Sequence, residues 1–338
     1  MNTITDQFNR PLQDVRVSVI DRCNFRCQYC MPAQPEKEYA FLAKREWLTG
    51  EEILRLARVL LTCGVQKVRL TGGEPLLRPD IPDLVRNLNA LTPAPDIALT
   101  TNGSLLSRYA GQLKAAGLSR LTVSLDTLDS RIFRDMGGTQ TPLTTVLDGI
   151  SAARDSGIAS IKINVVIQKG VNDGSILDLV DYFRGTGCIL RFIEYMDVGT
   201  CNHWDRRYVV PSAKILTLID RRYPLQALDR NYFGEVAERY AYRDGQGEIG
   251  FISSVSQPFC RSCTRLRITT DGRLVTCLFA EGGVNLRDEL RGGATDNRLR
   301  ELIGQTWQGR SDRYSELRAG PGADQNTQKK LEMYQIGG

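Results

Sequence analysis

At 338 residues, with 41% hydrophobic and 25% charged side chains, the chain is long enough for one large α/β unit plus an appended domain. A net charge of +5 is too mild to argue for nucleic acid, and no apolar run approaches the ~18 residues that span a bilayer. The opening residues MNTITDQFNRPLQD lack the charged start and apolar stretch of a signal peptide, so the expected compartment is cytoplasmic. In that reducing setting, metal ligation is the leading reading for clustered cysteines, ahead of disulfide pairing.

In chain order, β-branched runs alternate with amphipathic stretches. Strands are expected at 15–20, 67–71, 97–101, 121–125, 161–167 and 189–195, with helices at 51–62, 82–91, 105–116, 143–155 and 175–184. Thr49 and Glu52 have capping-box spacing before the first helix. Repeated strand–helix–strand units imply a parallel sheet with helices outside it. Six units in about 195 residues fall short of the eight, in ~250 residues, of a closed TIM barrel, so the fold class is α/β with an open, partial (β/α)6 TIM-like barrel. Chemistry in such a sheet sits at the C-terminal strand ends, here DRCNFRC, TGGEP, TTNG, SLD, QKG and EYMD. Beyond residue 197 the alternation stops. The expected division is a barrel over 1–196, a C-terminal domain over 197–319 and a polar tail over 320–338. Within the second part, CTRLRITTDGRLVTCLF reads as a hairpin turning at Asp271-Gly272.

Cys23, Cys27 and Cys30 form C-x3-C-x2-C in the loop after the first strand. Structural zinc usually takes four Cys or His ligands, and the only histidine, His203, is far away in sequence. A [4Fe–4S] cluster also normally takes four thiolates. Three leave one iron without a protein ligand, and an open metal position is what a catalytic site needs. The spacing serves both metals but favours the cluster.

A second trio, Cys260, Cys263 and Cys277, has C-x2-C-x13-C spacing, and the Asp-Gly turn returns Cys277 toward the first pair. Cys63 and Cys188 read as small core residues, whereas Cys201, beside His203, keeps open a zinc ribbon completed by either of those two. Arg261, Arg265 and Arg267 crowd this trio, and Arg16 and Arg69 lie on strands near the first. Guanidinium groups pair bidentately with phosphate oxygens, so several in one cavity suit a polyphosphate; the bland alternative is a solvated basic face. No phosphate-binding G-x-x-x-x-G-K-[ST] loop or dinucleotide fingerprint is present.

CNFRCQYC matches C-x3-C-x-aromatic-C in full, with Tyr29 as the aromatic residue, and TGGEP follows the second strand. On these motifs the chain resembles the radical S-adenosylmethionine (radical SAM) enzymes, whose open iron chelates SAM. That resemblance implies SAM contacts at Tyr29, Gly73, Ser124 of VSLD and Met196 of EYMD. With the second trio, the stretches KINVVIQKGVND, RFIEYMDVG and CRSCTRLRITTDG, and the terminal IGG, the resemblance narrows to the GTP 3′,8-cyclase family of molybdenum-cofactor biosynthesis.

The resemblance implies two [4Fe–4S] clusters, on Cys23, Cys27 and Cys30 and on Cys260, Cys263 and Cys277, the second in the C-terminal domain with its open iron toward guanine. It further implies that reduction by an external electron donor cleaves SAM to a 5′-deoxyadenosyl radical. The radical takes hydrogen from C3′ of GTP, C3′ attacks C8, and reduction gives 3′,8-cyclo-7,8-dihydro-GTP. Arg16, Arg265 and Arg267 would hold the triphosphate, and Arg69, Thr100 and Lys162 would make other substrate contacts. Leu266 would contribute backbone, and Arg191 would contact substrate or only pair with Glu194. Gly337 and Gly338, otherwise read as a disordered end, would reach the active site and support catalysis. Expected partners are GTP, the electron donor and the next enzyme, cyclic pyranopterin monophosphate synthase, in a family often homodimeric. The alternatives are a peptide-modifying radical SAM enzyme with an auxiliary cluster, or a zinc-stabilised module without catalysis.

Overall fold

The computed structural model describes residues 3–33, 39–318 and 330–337. Six strands, β1 (Asp14–Ser18), β2 (Lys67–Thr71), β3 (Asp96–Thr101), β4 (Arg120–Ser124), β5 (Ser160–Ile167) and β6 (Ile189–Glu194), pair side by side in parallel. Helices α1 (Gly50–Thr62), α2 (Ile81–Asn89), α3 (Leu106–Ala115), α4 (Ser130–Gly137), α5 (Leu143–Asp155) and α6 (Ile176–Phe183) connect them. All six strands and five of these helices fall within a residue or two of the sequence expectation. α4 was not expected; Asp129 caps it by accepting the backbone N–H groups of Arg131 and Ile132. The expected capping box starts α1, where Thr49 Oγ1 accepts the Glu52 N–H and the Glu52 carboxylate accepts the Thr49 N–H.

The sheet does not stop at six strands. α7 (Ser212–Arg222) leads to β7 (Leu225–Leu228), β8 (Glu238–Tyr242) and β9 (Glu248–Ile252), which extend the β6 edge. β10 (Arg265–Ile268), β11 (Arg273–Val275) and β12 (Val284–Asn285) extend the other edge, with β10 parallel to β1. The expected hairpin is β10–β11, and Gly272 holds a φ of +78° at its turn. The single sheet runs β12-β11-β10-β1-β2-β3-β4-β5-β6-β9-β8-β7 and is not closed. Helices α8 (Leu286–Arg291), α9 (Asp296–Gln308), α10 (Tyr314–Leu317) and α11 (Met333–Ile336) complete the described chain.

Period-two alternation assigns the two faces. On β1, β2 and β10, Val15, Val17, Val68, Leu70, Leu266 and Ile268 enter the core under the helices, and the alternate positions face the concave side. Cys63 and Cys188 are buried in this core, as expected. Among the described residues no helix is long and apolar enough to cross a membrane.

Glu194, at the end of β6, locks the sheet to its later additions. It is 1% exposed and accepts the backbone N–H groups of Ser212, Val255 and Ser256 and the Ser256 hydroxyl. Glu194→Ala would orphan four donors, two of them buried. It is expected to lower stability by about 3–5 kcal/mol, read as a fall in the urea unfolding midpoint.

Candidate active site

The first trio occupies the loop leaving β1, and the TGGEP stretch leaving β2 is laid directly against that loop. Gly73 N–H donates to the Ile20 carbonyl at 2.7 Å and Glu74 N–H to the Arg22 carbonyl at 2.8 Å. A Cβ on Gly72 would lie 2.3 Å from the Ile20 oxygen, and one on Gly73 would lie 2.2 Å from the Arg22 oxygen. The glycines therefore admit the backbone that carries Cys23. Glu74 faces inward, accepting Thr101 Oγ1 and the N–H groups of Leu76 and Asn102; burial nevertheless pushes its carboxyl up to about 7. Tyr29 donates to Asp126 at 2.7 Å, and burial raises Asp126 to about 6 against that bond and the Val166 N–H.

The second trio lies across the concavity, on the turn before β10 and the loop after β11. One cavity is lined by all six cysteines and by Arg16, Arg69, Gly73, Thr100, Ser124, Met196, Arg265 and Arg267. Tyr29 and Arg191 also line it. Three of the expected site residues do not. Leu266 alternates to the opposite face and is fully buried in the core. Lys162 sits two residues nearer the start of β5 than Asn164, which does line the cavity. Gly337 is not among the lining residues but touches Arg267, which is, and Gly338 falls outside the described residues.

The two trios differ in how their surroundings treat a thiolate. Cys23 Sγ accepts the Phe25 N–H at 3.4 Å and Asn102 Nδ2 at 3.9 Å. Cys263 Sγ accepts Arg265 Nε and Nη2 at 3.3 and 3.2 Å, and Cys277 Sγ accepts the Phe279 N–H at 3.5 Å. Burial, joined by the charge of Glu74, pushes the Cys23 thiol up to about 11, and burial does the same to Cys277. Burial also opposes ionisation of Cys263, but the charges of Arg265 and Arg310 prevail and bring it down to about 6. Among the described residues no three Cys, His, Asp or Glu side chains are grouped to hold one metal ion. A mononuclear tetrahedral site brings its sulfurs within about 4 Å of one another, whereas a cluster takes one thiolate at each separated iron. N–H donors reach Cys23, Cys263 and Cys277, and all six cysteines line the cavity, which suits the latter. Cys201 lies near enough to the first trio to be among the groups that raise Cys30.

The floor between the trios is cationic. In the sheet register Arg16 stands directly beside Arg69 on one side and Arg267 on the other, with Arg265 two residues before Arg267. Burial, followed by the charges of Arg267, Arg265 and Arg69, holds Arg16 far below the ordinary arginine range. Arg69 Nη1 donates to Thr100 and Thr122 hydroxyls at 3.0 and 3.1 Å. Arg191 donates to Asn164 at 2.9 Å and to Thr122 at 3.4 Å. It does not pair with Glu194, whose carboxylate is taken by Ser212, Val255 and Ser256. Burial, then Arg191 and Arg120, brings Lys162 down to about 7.

The last described residues bind into this assembly. Lys330 Nζ donates to Asp197 at 3.2 Å, Thr200 Oγ1 donates to Glu332 at 2.6 Å, and Ile336 is fully buried. Arg267 Nη1 donates to the Gly337 carbonyl at 2.5 Å. Sequence reasoning had not singled out Asn102, Asp126, Asn164 or Arg310, all of which line the cavity. Period-two spacing from Thr100, Ser124 and Lys162 would have found the first three; nothing local marks Arg310.

Residues 17–183 match the Radical SAM superfamily, and residues 188–316 match Molybdenum Cofactor Synthesis C. The chain is 50% identical over 334 residues to a GTP 3′,8-cyclase of Xanthomonas axonopodis pv. citri, covering 98% of each protein. It is 44% identical over 337 residues to that of Staphylococcus aureus (strain MRSA252), covering 99% of each. In fold it is similar to Streptococcus suis SuiB bound to precursor peptide SuiA, with a TM-score of 0.61 and 17% identity over 93% of this chain and 69% of the other. Family membership implies an iron–sulfur cluster and SAM binding. The chain belongs to the GTP 3′,8-cyclase family of the radical SAM superfamily.

Proposed function

We infer that the protein converts GTP to (8S)-3′,8-cyclo-7,8-dihydroguanosine 5′-triphosphate, the first step of molybdenum-cofactor biosynthesis. The observation that carries the substrate is the in-register row Arg69–Arg16–Arg267 on the cavity floor. Like charges on neighbouring strands destabilise a sheet, and burial adds to the cost, so the row demands an anion. A triphosphate supplies one, with Arg265 completing the cradle.

Cys23, Cys27 and Cys30 would hold the SAM-binding cluster, with Gly73, Tyr29, Ser124 and Met196 around SAM. When bound and reduced by an external donor, that cluster would supply the one electron that splits SAM into methionine and a hydrogen-abstracting adenosyl fragment. Cys260, Cys263 and Cys277 would hold a second cluster toward the guanine end. The chain's own part is positional. The arginines fix the triphosphate, Thr100 and Lys162 support the nucleotide, and the walls keep water from the reacting carbons. We assign SAM chemistry to residues 1–196 and the second cluster to 197–319. The Arg267–Gly337 bond supports a role for the chain's last residues in setting the floor.

The decisive experiment is anaerobic turnover of reconstituted protein with SAM and reductant, comparing 5′-deoxyadenosine release with GTP, with ATP and without nucleotide. GTP-dependent release is expected, and release independent of nucleotide would reopen the substrate. Arg16→Ala and Arg267→Ala should each weaken GTP binding about 10- to 100-fold while leaving SAM binding intact.

Lys162 gives the site a pH dependence. Its folded value lies near 7, and a bound polyanion favours the charged form, so binding takes up a proton above pH 7. The GTP dissociation constant should therefore rise, by up to about tenfold per pH unit, on going from pH 7 toward pH 9. Titration calorimetry on Lys162→Met should show that component gone.

Gly337 holds a φ of +67°, and a Cβ there would fall 2.2 Å from Thr71 Cγ2. Gly337→Ala, or removal of Gly337 and Gly338, is expected to lower product formation at least tenfold with both clusters and SAM binding preserved. Unchanged turnover would separate the last residues from catalysis.

A further inference from the structure

A buried ion network outside the cavity floor grips the second trio from behind. Asp6, Arg10 and Arg310 are 5%, 0% and 4% exposed. Asp6 Oδ1 accepts the backbone N–H groups of Phe8 and Arg10, both at 2.9 Å. Its Oδ2 accepts Arg10 Nε at 2.5 Å and Arg310 Nη1 at 3.3 Å. The two guanidinium groups then reach the same short turn. Arg10 Nη1 donates to the carbonyl of Cys260 at 2.7 Å, and Arg310 Nη1 donates to the carbonyl of Cys263 at 2.8 Å. Arg10 also donates to the Asp312 carbonyl at 2.9 Å, and Arg310 Nε to the Asp312 carboxylate at 3.3 Å. Trp307 fixes the scaffold, donating Nε1 to the Arg10 carbonyl with its ring 4.5 Å from the Arg310 guanidinium.

We propose that Asp6, Arg10 and Arg310 are positioning residues for the second cluster: one carboxylate aligns two arginines, and each arginine holds the backbone of one cysteine ligand. This rests on the reading of Cys260, Cys263 and Cys277 as cluster ligands. A generic fold clamp would have no reason to choose the carbonyls of two ligands three positions apart. Holding both fixes the separation and direction of their Cα–Cβ bonds before any iron arrives. Arg310 also lines the cavity, so its charge lies near the negative charge of a thiolate-bound cluster.

The test uses full-length protein in which Cys23→Ala, Cys27→Ala and Cys30→Ala leave only the second trio to bind iron. After anaerobic reconstitution this parent is expected to hold one cluster's iron and sulfide and to give an EPR signal on reduction. A parent without iron would overturn the cluster reading, and the proposal with it. In that background, Asp6→Asn and Arg310→Gln are expected to lower iron content at least about threefold with unchanged far-UV circular dichroism. Arg310→Lys, which keeps the charge and one donor, should recover part of the iron and show a shifted EPR spectrum. With the first trio restored, the iron lost should be confined to the second site. Full loading with an unshifted spectrum in Asp6→Asn and Arg310→Gln would overturn the proposal. If Asp6→Asn does not fold, Arg310→Lys decides: iron content no better than Arg310→Gln would refute positioning by the guanidinium's charge and donors.

Discussion

Three guanidinium groups stand side by side on β2, β1 and β10, and this cationic row organises the molecule around it. A sheet left to its own energetics would not place like charges in neighbouring registers on a buried face. Hydroxyls of Thr100 and Thr122 and the carbonyl of Gly337 solvate parts of the row, but none of these carries a neutralising charge. Asp14 offsets part of the charge on Arg16 and Arg69, and an anion bound in the cavity would offset more. The row exists only because β10 pairs in parallel with β1, and the same pairing carries Cys263 and Arg265 to the cavity mouth opposite Cys23. One strand pairing thus builds both the anion floor and the two-ended arrangement of thiols.

The final residues belong to the same arrangement. Asp197 accepts Tyr314 Oη, Arg318 and Lys330, so one carboxylate holds both Arg318 and Lys330, which flank residues 319–329. From Lys330 the chain runs inward past Thr200 and the rings of Tyr39 and Phe41, ending its described course on Arg267. Composition alone makes an Ile-Gly-Gly ending read as disordered, because glycine has the most backbone freedom to lose. The polar contacts that offset that loss come from residues distant in sequence, so only tertiary structure reveals them.

The sequence was readable wherever its signal was local. Parallel strands and their helices follow from hydrophobic period, and the β10–β11 turn from Asp271-Gly272. The first cysteine loop and TGGEP are compact motifs, but the packing of Gly72 and Gly73 against that loop is written in neither one. The two glycines make room for residues 20–22, and that close approach is a pairwise fact no single stretch contains. Arg191 shows the same limit. Three residues from Glu194 in sequence, it binds Asn164 and Thr122, while the Glu194 carboxylate is taken by Ser212, Val255 and Ser256. Strand periodicity separates side chains of odd spacing, so alternation was a better guide than proximity in the sequence.

The two cysteine trios are therefore supported by different physics. The first is held by short-range backbone bonds between adjacent strand ends, Gly73 to Ile20 and Glu74 to Arg22, which a motif can encode within a few residues. The second lies near the edge of the sheet, where fewer flanking strands stabilise a loop. It instead draws on a carboxylate at residue 6 and guanidinium groups at residues 10 and 310. Such a network contributes orientation more than stability, because desolvating three charged groups offsets most of their attraction. Its location behind the ligand carbonyls is where orientation has chemical value. A cluster held there by only three thiolates would depend on the direction of each.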